Sequence, residues 1–163
     1  MRGKRLIKRR KSVVLLAGLS LAWGGIRWGN AYTQPSGLSS SPQASLADCP
    51  ATPNCVCSSA SRPENKIDPI ELREPVPDAR AKLELIIQEL PRSRIVVSHN
   101  HYLRAEFRSL VFGFVDDLEL LFDEQQQVIG VRSASRIGYS DLGANRRRVE
   151  GIRRRYAALD KSR

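Results

Sequence analysis

The sequence predicts a two-layer α+β domain, in which a roughly four-stranded antiparallel sheet carries two helices on one face. Two observations predict this fold class. Apolar residues recur at helical spacing around residues 80 and 150, and at alternate positions in the segments between them. The strand segments are joined by short loops, which favour antiparallel pairing of consecutive strands.

The chain starts with a leader that has the order of an export signal. Residues 1–31 contain a basic stretch, then the uncharged run Ser12–Ile26, then the small residues Gly29-Asn30-Ala31. This order predicts a signal peptide cleaved after Ala31, and an exported protein of a periplasm or a thylakoid-lumen-like compartment. The alternative is a membrane anchor over residues 12–28. The fifteen uncharged residues would span about 22 Å as a helix, less than the ~30 Å hydrocarbon core, which favours cleavage.

The net charge of +10 is concentrated in this leader. Of the 27 basic residues, eight lie in residues 1–31, where no acidic residue occurs. The rest of the chain has 19 basic and 17 acidic residues, a net charge of only +2. A nucleic-acid-binding domain needs its basic residues on the domain itself, so we predict no nucleic-acid partner.

Two segments without apolar periodicity follow the leader. Residues 32–47 are rich in Ser and Pro and uncharged, which predicts a disordered linker before a single domain over residues 48–160. Residues 48–77 contain six prolines. Proline removes amide donors and fixes φ, so this segment is expected to be an extended strap without helices or central strands.

The first predicted helix is Asp78–Leu90, with Asp78 as its N-cap and Pro91 at its end. Its apolar face consists of Ala79, Leu83, Ile86, Ile87 and Leu90. The closing helix is capped by Ser140 or Asp141. The stripe of this helix that is expected to face the core consists of Asn145, Val149, Ile152, Tyr156 and Leu159.

Four strands are predicted between the helices, over Arg94–Ser98, Tyr102–Arg108, Val115–Asp123 and Gln127–Ala134. Their alternation predicts one apolar face, consisting of Leu103, Ala105, Phe107, Leu118, Leu120, Phe122, Ile129 and Val131. The opposite face is charged and consists of Arg104, Glu106, Arg108, Asp117, Glu119 and Arg132. With both helices on the apolar face, the charged face is expected to be open, either as a solvated surface or as a shallow binding groove.

The alternation points Asp116 inward, where a carboxylate needs a cationic or amide partner. The candidates are Arg136 and the N-terminus of the closing helix. Polar residues are dense over residues 132–150, where the last strand meets that helix. We predict that Arg132, Arg136, Asp141 and Asn145 form a network that closes the fold there. The alternative is an anion site that combines Arg132 and Arg136 with Arg146–Arg148. Arg146–Arg148 would otherwise be solvated and paired with Glu150.

Three cysteines lie close together at positions 49, 55 and 57. In an exported chain this spacing predicts a disulfide between Cys49 and Cys55, with Cys57 free. A zinc site formed by the three cysteines and a histidine is the alternative, but the spacing fits no ordinary zinc pattern. His99 and His101 flank a predicted turn, and no nucleophile lies beside them in the sequence, so no catalytic triad is predicted. No metal and no cofactor are predicted either.

Three blocks of the sequence resemble one protein family. They are Cys-Pro-Ala-Thr-Pro-Asn-Cys-Val at 49–56, a segment at 105–119 that runs from Ala-Glu-Phe-Arg-Ser to Phe-Val-Asp-Asp-Leu-Glu, and the junction at 132–150. Together they resemble the domain of unknown function 1499 family of bacterial and plastid exported proteins. The resemblance implies an envelope or plastid-type protein and assigns no activity. The family pattern is similar to Cys-Val-Ser-Ser, so Cys57 departs from it.

These features predict a non-enzymatic binding or interaction domain of the cell envelope. An unknown protein or an anionic ligand would bind the open sheet face and the junction, and a membrane would be contacted only through an uncleaved leader. The alternative is a hydrolase-like enzyme that uses Glu106, Asp117, Arg132 and Arg136. The candidate binding residues are Glu106, Arg108, Asp117, Arg132, Arg136, Asp141, Asn145 and Arg146.

Overall fold

The computed structural model describes residues 45–99 and 101–160. The predicted signal peptide and most of the predicted linker lie outside the described residues. The strands are β1 (Cys55–Cys57), β2 (Ile70–Glu71), β3 (Ser93–His99), β4 (Tyr102–Arg108), β5 (Val115–Asp123) and β6 (Val128–Ser135). The helices are α1 (Val76–Gln88) and α2 (Ala144–Asp160), with a 3₁₀ turn at Pro63–Asn65.

One antiparallel sheet has the strand order β1-β6-β5-β4-β3, and β2 also pairs with β6. Both helices contribute to the apolar core on one face of this sheet. The predicted α+β class is confirmed, but the sheet has six strands instead of roughly four. The two additional strands come from the proline-rich strap.

The strap contains no central strand, as predicted, but it is not extended throughout, since it has a 3₁₀ turn at Pro63–Asn65 and α1 starts within it at Val76. Its residues between prolines complete the sheet. Cys55 lies opposite Ala134, and Ile70 lies opposite Ile129, so both short strands occupy the edge of β6 that β5 does not use. Segments of two or three residues are too short to show a strand period, which is why the alternation did not reveal them.

Helix α1 begins at Val76, two residues before the predicted start. Pro75 occupies the N-cap position, and the backbone amides of Asp78 and Ala79 both donate to the Pro75 carbonyl at 3.0 Å. Asp78 therefore lies in the first turn and is not the cap. Pro77 suits the first turn because its φ is already helical and its missing amide is not needed there.

The predicted apolar face of the sheet forms the core. All eight of its predicted residues are buried, together with Val149, Ile152 and Tyr156 of α2. Leu159, at the end of the predicted α2 stripe, is exposed. Among the described residues, neither helix has the length and apolarity needed to cross a bilayer.

The charged face of the sheet is buried, so the prediction of an open face was wrong. Glu106, Asp117, Glu119 and Arg132 are all buried. A second apolar cluster covers part of this face and consists of Leu46, Cys49, Cys55, Cys57, Ala60 and Ala134. Leu46, which the sequence placed in the linker, lies over β6: a Cβ added to Gly130 would be 3.3 Å from Leu46 Cδ1. Leu46 and the strap thus cover part of a face that the strand pattern alone left open.

Candidate functional site

The buried charged face carries a network of arginines and carboxylates, which we call the second-face network. Strand pairing places Glu106 opposite Asp117, two like charges that need a cation between them. Arg136 supplies it. Its Nε donates to Asp117 Oδ2 at 2.7 Å, its Nη2 donates to Asp117 Oδ1 at 2.9 Å, and Nη2 also donates to Glu106. Arg94 donates to the other Glu106 oxygen at 2.9 Å.

These contacts keep the carboxylate of Glu106 ionised. Burial by itself would raise the pKa of Glu106, but the hydrogen bonds from Arg136 and Arg94 outweigh it and lower that pKa. The hydrogen bond to Asp117 in turn raises the pKa of Arg136, despite the opposing effect of burial. A buried charge triad with this much hydrogen bonding stabilises the fold only as long as every member is present.

The same face continues along β4–β6 with a second set of partners. Glu119 is fully buried and accepts hydrogen bonds from Arg132 Nη1 at 3.0 Å and from the Tyr102 hydroxyl at 2.8 Å. Burial, and then the adjacent Glu119 charge, raise the pKa of Tyr102, so its hydroxyl stays protonated and continues to donate. Nη1 of Arg104 lies 3.8 Å from Oδ1 of Asp117.

The cavities described for residues 45–99 and 101–160 do not include the second-face carboxylates. Two cavities are described, of about 650 Å³ and about 290 Å³, and neither is lined by Glu106, Asp117, Arg132 or Arg136. The hydrolase-like alternative needed these four residues to meet in a pocket. In the structure they are paired with one another or with neighbouring residues instead.

The junction residues fall into two separate networks, contrary to the predicted single one. Arg132 and Arg136 point to the second face, whereas Asn145 lies on the helix side of the sheet. Asn145 Oδ1 accepts from the Ser133 hydroxyl at 2.6 Å, and Nδ2 donates to the Asn54 carbonyl at 3.0 Å. The reason is strand alternation: even-numbered residues of β6 face away from the helices, while Ser133 and Ser135 face them.

Asp141, one of the two predicted candidates, caps α2 with its side chain. Its carboxylate accepts from the backbone amides of Gly143 at 2.9 Å and Asn145 at 2.7 Å. Asn54 is a buried residue that the sequence analysis missed, and its side chain donates to the Gly138 carbonyl at 2.7 Å. It ties the strap to the junction. No periodic signal in the proline-rich segment could have shown this contact.

The arginines of the first turns of α2 have individual partners. Arg146 donates to the Glu64 carbonyl at 2.9 Å, and Arg147 donates to the Leu142 carbonyl at 2.7 Å. Oε1 of Glu150 lies 2.7 Å from Nη1 of Arg153. Glu150 therefore does not pair with Arg146–Arg148, which was the alternative predicted for solvated arginines. The predicted anion site does not form either, because Arg132 and Arg136 lie on the other face.

Asp116 faces inward as predicted, but Arg136 is not its partner. Arg148 of α2 donates to Asp116 Oδ2 at 2.6 Å, and the Ser135 hydroxyl donates to Oδ1 at 2.6 Å. The Arg148 guanidinium also lies 4.4 Å from the centre of the Phe107 ring. The pair forms part of the wall of the larger cavity.

This larger cavity, the arginine cleft, lies between the turn after α1, the end of β4 and one side of α2. Its volume is about 650 Å³, within the range of small-molecule sites. One carboxylate, Asp116, lines it. Six arginines also line it: Arg92, Arg108, Arg147, Arg148, Arg154 and Arg155.

The cleft has more positive charge than its surroundings neutralise. Asp116 is paired with Arg148, and Glu89 lies 3.7 Å from Arg155. In the described part of the chain, no carboxylate lies within ion-pair distance of Arg108 or Arg154. Gly151 lines the cleft between these arginines, and a Cβ added there would meet no atom within 4 Å. The cleft is therefore open along this side of the helix.

Of the predicted binding residues, only Arg108 lines this cleft. The others were Glu106, Asp117, Arg132, Arg136, Asp141, Asn145 and Arg146, which have the structural partners given above. The sequence did contain a pattern that could have indicated the cleft residues of α2. Arg147, Gly151 and Arg154 are spaced four and three residues apart, which places them on one side of a helix, next to the buried stripe. Arg92 could not have been predicted as a cleft residue from the sequence, because only the tertiary structure brings the turn that contains it to α2.

The cysteines pair as predicted. A disulfide joins Cys49 and Cys55, whose Cα atoms are 5.7 Å apart, and Cys57 is free and buried, 3.2 Å from the Ser59 hydroxyl. Since two of the three sulfurs are bonded to each other, the alternative zinc site is not formed. His99 and His101 are both exposed. Within residues 45–99 and 101–160, no group of three or more His, Cys, Asp or Glu side chains is placed to hold a metal.

Fold and site together define a small disulfide-linked α+β domain with one charge-paired, closed sheet face and one cationic cleft. A family model described as a protein of unknown function, DUF1499, matches residues 45–155. Because this match covers more than half of the 163 residues, the chain belongs to that family. Searches among curated proteins and among solved structures gave no match.

Proposed function

We propose that this protein is a non-enzymatic binding domain of the cell envelope that takes an anionic ligand in the arginine cleft. The observation that carries the proposal is the charge imbalance of a cavity of about 650 Å³, with six arginines and one carboxylate in its lining. Arg108 and Arg148 are half-buried and the other four arginines are exposed. Like charges gathered around one cavity repel each other, and an anion between them would relieve that repulsion. A ligand with a phosphate, sulfate or carboxylate group would supply that anion.

The rigidity of the cleft wall supports binding. Arg148 is held by Asp116, by Asn145 at 2.5 Å and by the Phe107 ring, so its guanidinium has little freedom to lose when a ligand binds. Arg92 is fixed as well, because its Nε donates to the Arg108 carbonyl at 3.0 Å. Groups that are ordered before binding cost less entropy on binding.

The pairing of the second-face carboxylates favours a binding role over hydrolysis. A general acid or base must reach the substrate directly or through one water molecule. Glu106, Asp117 and Glu119 are buried and hydrogen-bonded to arginines, so none is placed for such a contact. The Cys49–Cys55 disulfide supports an exported location, since disulfides persist in oxidising compartments.

The test uses inorganic phosphate and sulfate as probes of the full chain at low ionic strength. NMR titration should shift the backbone amides of Ala144, Gly151 and Arg154, which separates the cleft from any phosphate held by the basic leader. Charge-assisted hydrogen bonds contribute about 1.5–3 kcal/mol each. The double variant Arg108→Ala/Arg154→Ala should therefore bind at least roughly tenfold more weakly.

The matched control is Arg62→Ala/Lys66→Ala, which removes the same charge from exposed positions outside the cleft. It should keep the parent's affinity at the cleft amides. If the two double variants bind equally well, or if phosphate shifts no cleft amide, the proposal is wrong.

A further inference from the structure

The exposed apolar side chains of this domain are not scattered. Eight large apolar side chains in the described part of the chain are exposed, and two of them, Leu85 and Leu159, lie on the helices. The other six, the apolar tips, lie in two loops: Leu110, Val111, Phe112, Phe114, Tyr139 and Leu142. Scattered single residues would need no explanation, but six in two loops do.

The two loops leave the same end of the sheet. The loop Ser109–Phe114 joins β4 to β5, and the junction 136–143 follows β6. The first residues of β5 pair with the last of β6, with Asp116 opposite Ser135, and the Arg136 amide donates to the Val115 carbonyl at 2.9 Å. The apolar tips therefore lie at one end of the molecule.

One end of the arginine cleft lies at this same end. Ser109, the first residue of the β4–β5 loop, lines it, and so does Ala144, the first residue of α2 after the junction. Arg108 directly precedes the β4–β5 loop and Arg147 lies in the first turn of α2, so two of the lining arginines adjoin the two loops. Two carboxylates at this end already have partners: Asp141 caps α2 and Asp116 pairs with Arg148.

Each loop has backbone groups with partners close by in the chain. The Ser109 amide donates to the Phe114 carbonyl, and the Phe114 amide donates to the Ser109 hydroxyl, both at 2.9 Å. In the junction, the Leu142 carbonyl accepts from Arg147 at 2.7 Å, and the Leu142 amide donates to the Ser140 hydroxyl at 3.2 Å.

Leu142 has an unusual backbone for an exposed leucine. Its φ is +54°, in the left-handed region that non-glycine residues rarely adopt, and its side chain is 84% exposed. Folding gains little from holding a leucine in this way, because its side chain is not buried in the domain. Strain of this kind is commonly found at functional positions.

We propose that the apolar tips dock on the surface of an anionic lipid bilayer, so that a lipid phosphate headgroup enters the arginine cleft. This inference rests on the proposed function, because the cleft supplies the headgroup site. Apolar side chains beside arginines are the pattern of interfacial membrane contacts, where the apolar groups enter the acyl boundary and the cations meet anionic headgroups. None of the tips lines either of the two cavities described for residues 45–99 and 101–160.

The test places an environment-sensitive fluorophore at the apolar tips of the full chain. The label is attached to Val111→Cys, and in a second variant to Leu142→Cys, while Cys57 is buried and Cys49 and Cys55 are disulfide-bonded. The control variant is Gln125→Cys in the exposed β5–β6 loop, at the other end of the sheet. Because the readout is local, an uncleaved leader that held the chain on the vesicle would not mimic insertion.

Vesicles of phosphatidylglycerol and phosphatidylcholine in equal amounts should shift the emission of both tip labels to the blue and leave the Gln125→Cys label unchanged. Phosphatidylcholine alone should give a much smaller shift. Adding Phe112→Ser to the Leu142→Cys variant should weaken the interaction with the mixed vesicles by roughly tenfold or more. Tip labels that stay in water with the mixed vesicles would overturn the inference. A vesicle-independent blue shift that rises with protein concentration would also overturn it, because a second copy of the chain would then cover the tips.

The phosphate titration separates the two proposals. If inorganic phosphate binds the cleft but the tip labels do not insert, the cleft proposal stands and the membrane inference fails. If the tip labels insert equally well in the Arg108→Ala/Arg154→Ala background, and phosphate binds nowhere in the cleft, headgroup capture and the proposed function both fail.

Discussion

The second-face network and the arginine cleft both concentrate arginines, but they differ in the carboxylates that meet them. On the second face, Arg94, Arg104, Arg132 and Arg136 face three carboxylates, and no described cavity is lined by Arg132 or Arg136. In the cleft, six arginines face one carboxylate across an open volume. Arginines that each have a carboxylate partner hold the fold together, whereas arginines in excess of carboxylates around a cavity leave room for an anion. Arginine content alone does not distinguish the two regions.

The largest expected effect comes from breaking the second-face network. Arg136→Ala leaves Asp117 without its bidentate partner and Glu106 with Arg94 alone. Removing one member of a buried charge network typically costs 3–5 kcal/mol, so the free energy of unfolding should fall by about that amount. Chemical denaturation measures it.

The control for this change is Arg154→Ala in the cleft, where the side chain is exposed and without a carboxylate partner in the described residues. Its free energy of unfolding should lie within about 0.5 kcal/mol of the parent's. Equal losses in both variants would remove the distinction between the two regions.

The next effect concerns the Cys49–Cys55 disulfide, which lies in the strap that covers part of the second face. Reduction opens the short loop between Cys49 and Cys55, which should lower the free energy of unfolding by about 2 kcal/mol in the chain-entropy model. Thermal melting with and without reductant measures this loss. The variant Cys49→Ala/Cys55→Ala should melt at one temperature in both buffers. A cleft that loses phosphate binding on reduction would contradict the independence of the two regions.

A smaller effect is expected at the cap of α2. Asp141→Ala removes the acceptor of two backbone amides and should cost about 1 kcal/mol. Because Asp141 and Arg136 share no partner, the losses of Asp141→Ala and Arg136→Ala should add within about 0.5 kcal/mol. A double variant that loses clearly less than the sum would restore the single shared network that the sequence predicted.

The smallest expected effect is on the pH dependence of stability. The folded-state pKa of Glu106 is lowered, so its contribution is complete above its unfolded pKa of about 4.3 and is lost as the pH falls further. Glu106→Gln should therefore show a shallower loss of stability than the parent between about pH 5 and about pH 3. The measurement is denaturant unfolding across this range. Glu124→Gln, at an exposed loop position, is the matched control, and an equal change of slope in both variants would count against the network.

Local patterns in the sequence determined much of the fold. Helical spacing predicted both helices, because a period near 3.6 residues depends only on neighbours along the chain. Strand alternation predicted which side chains enter the core and that Asp116 faces inward. The cysteine spacing predicted the pairing of Cys49 with Cys55, since a short loop and the expected compartment both favour it. The junction was correctly singled out as rich in structural contacts, though as one network instead of two.

Only the tertiary structure decided what covers each surface. Alternation assigns Glu106 and Asp117 to the second face, but it cannot say that Leu46 and the strap return to cover part of that face. The pairing of β1 and β2 with β6 links residues far apart in sequence, and so does the approach of Arg92 to α2. A periodic pattern records the side of an element on which a residue lies. Burial, and hence whether an arginine is a structural or a binding group, depends on the distant segments that pack against that side.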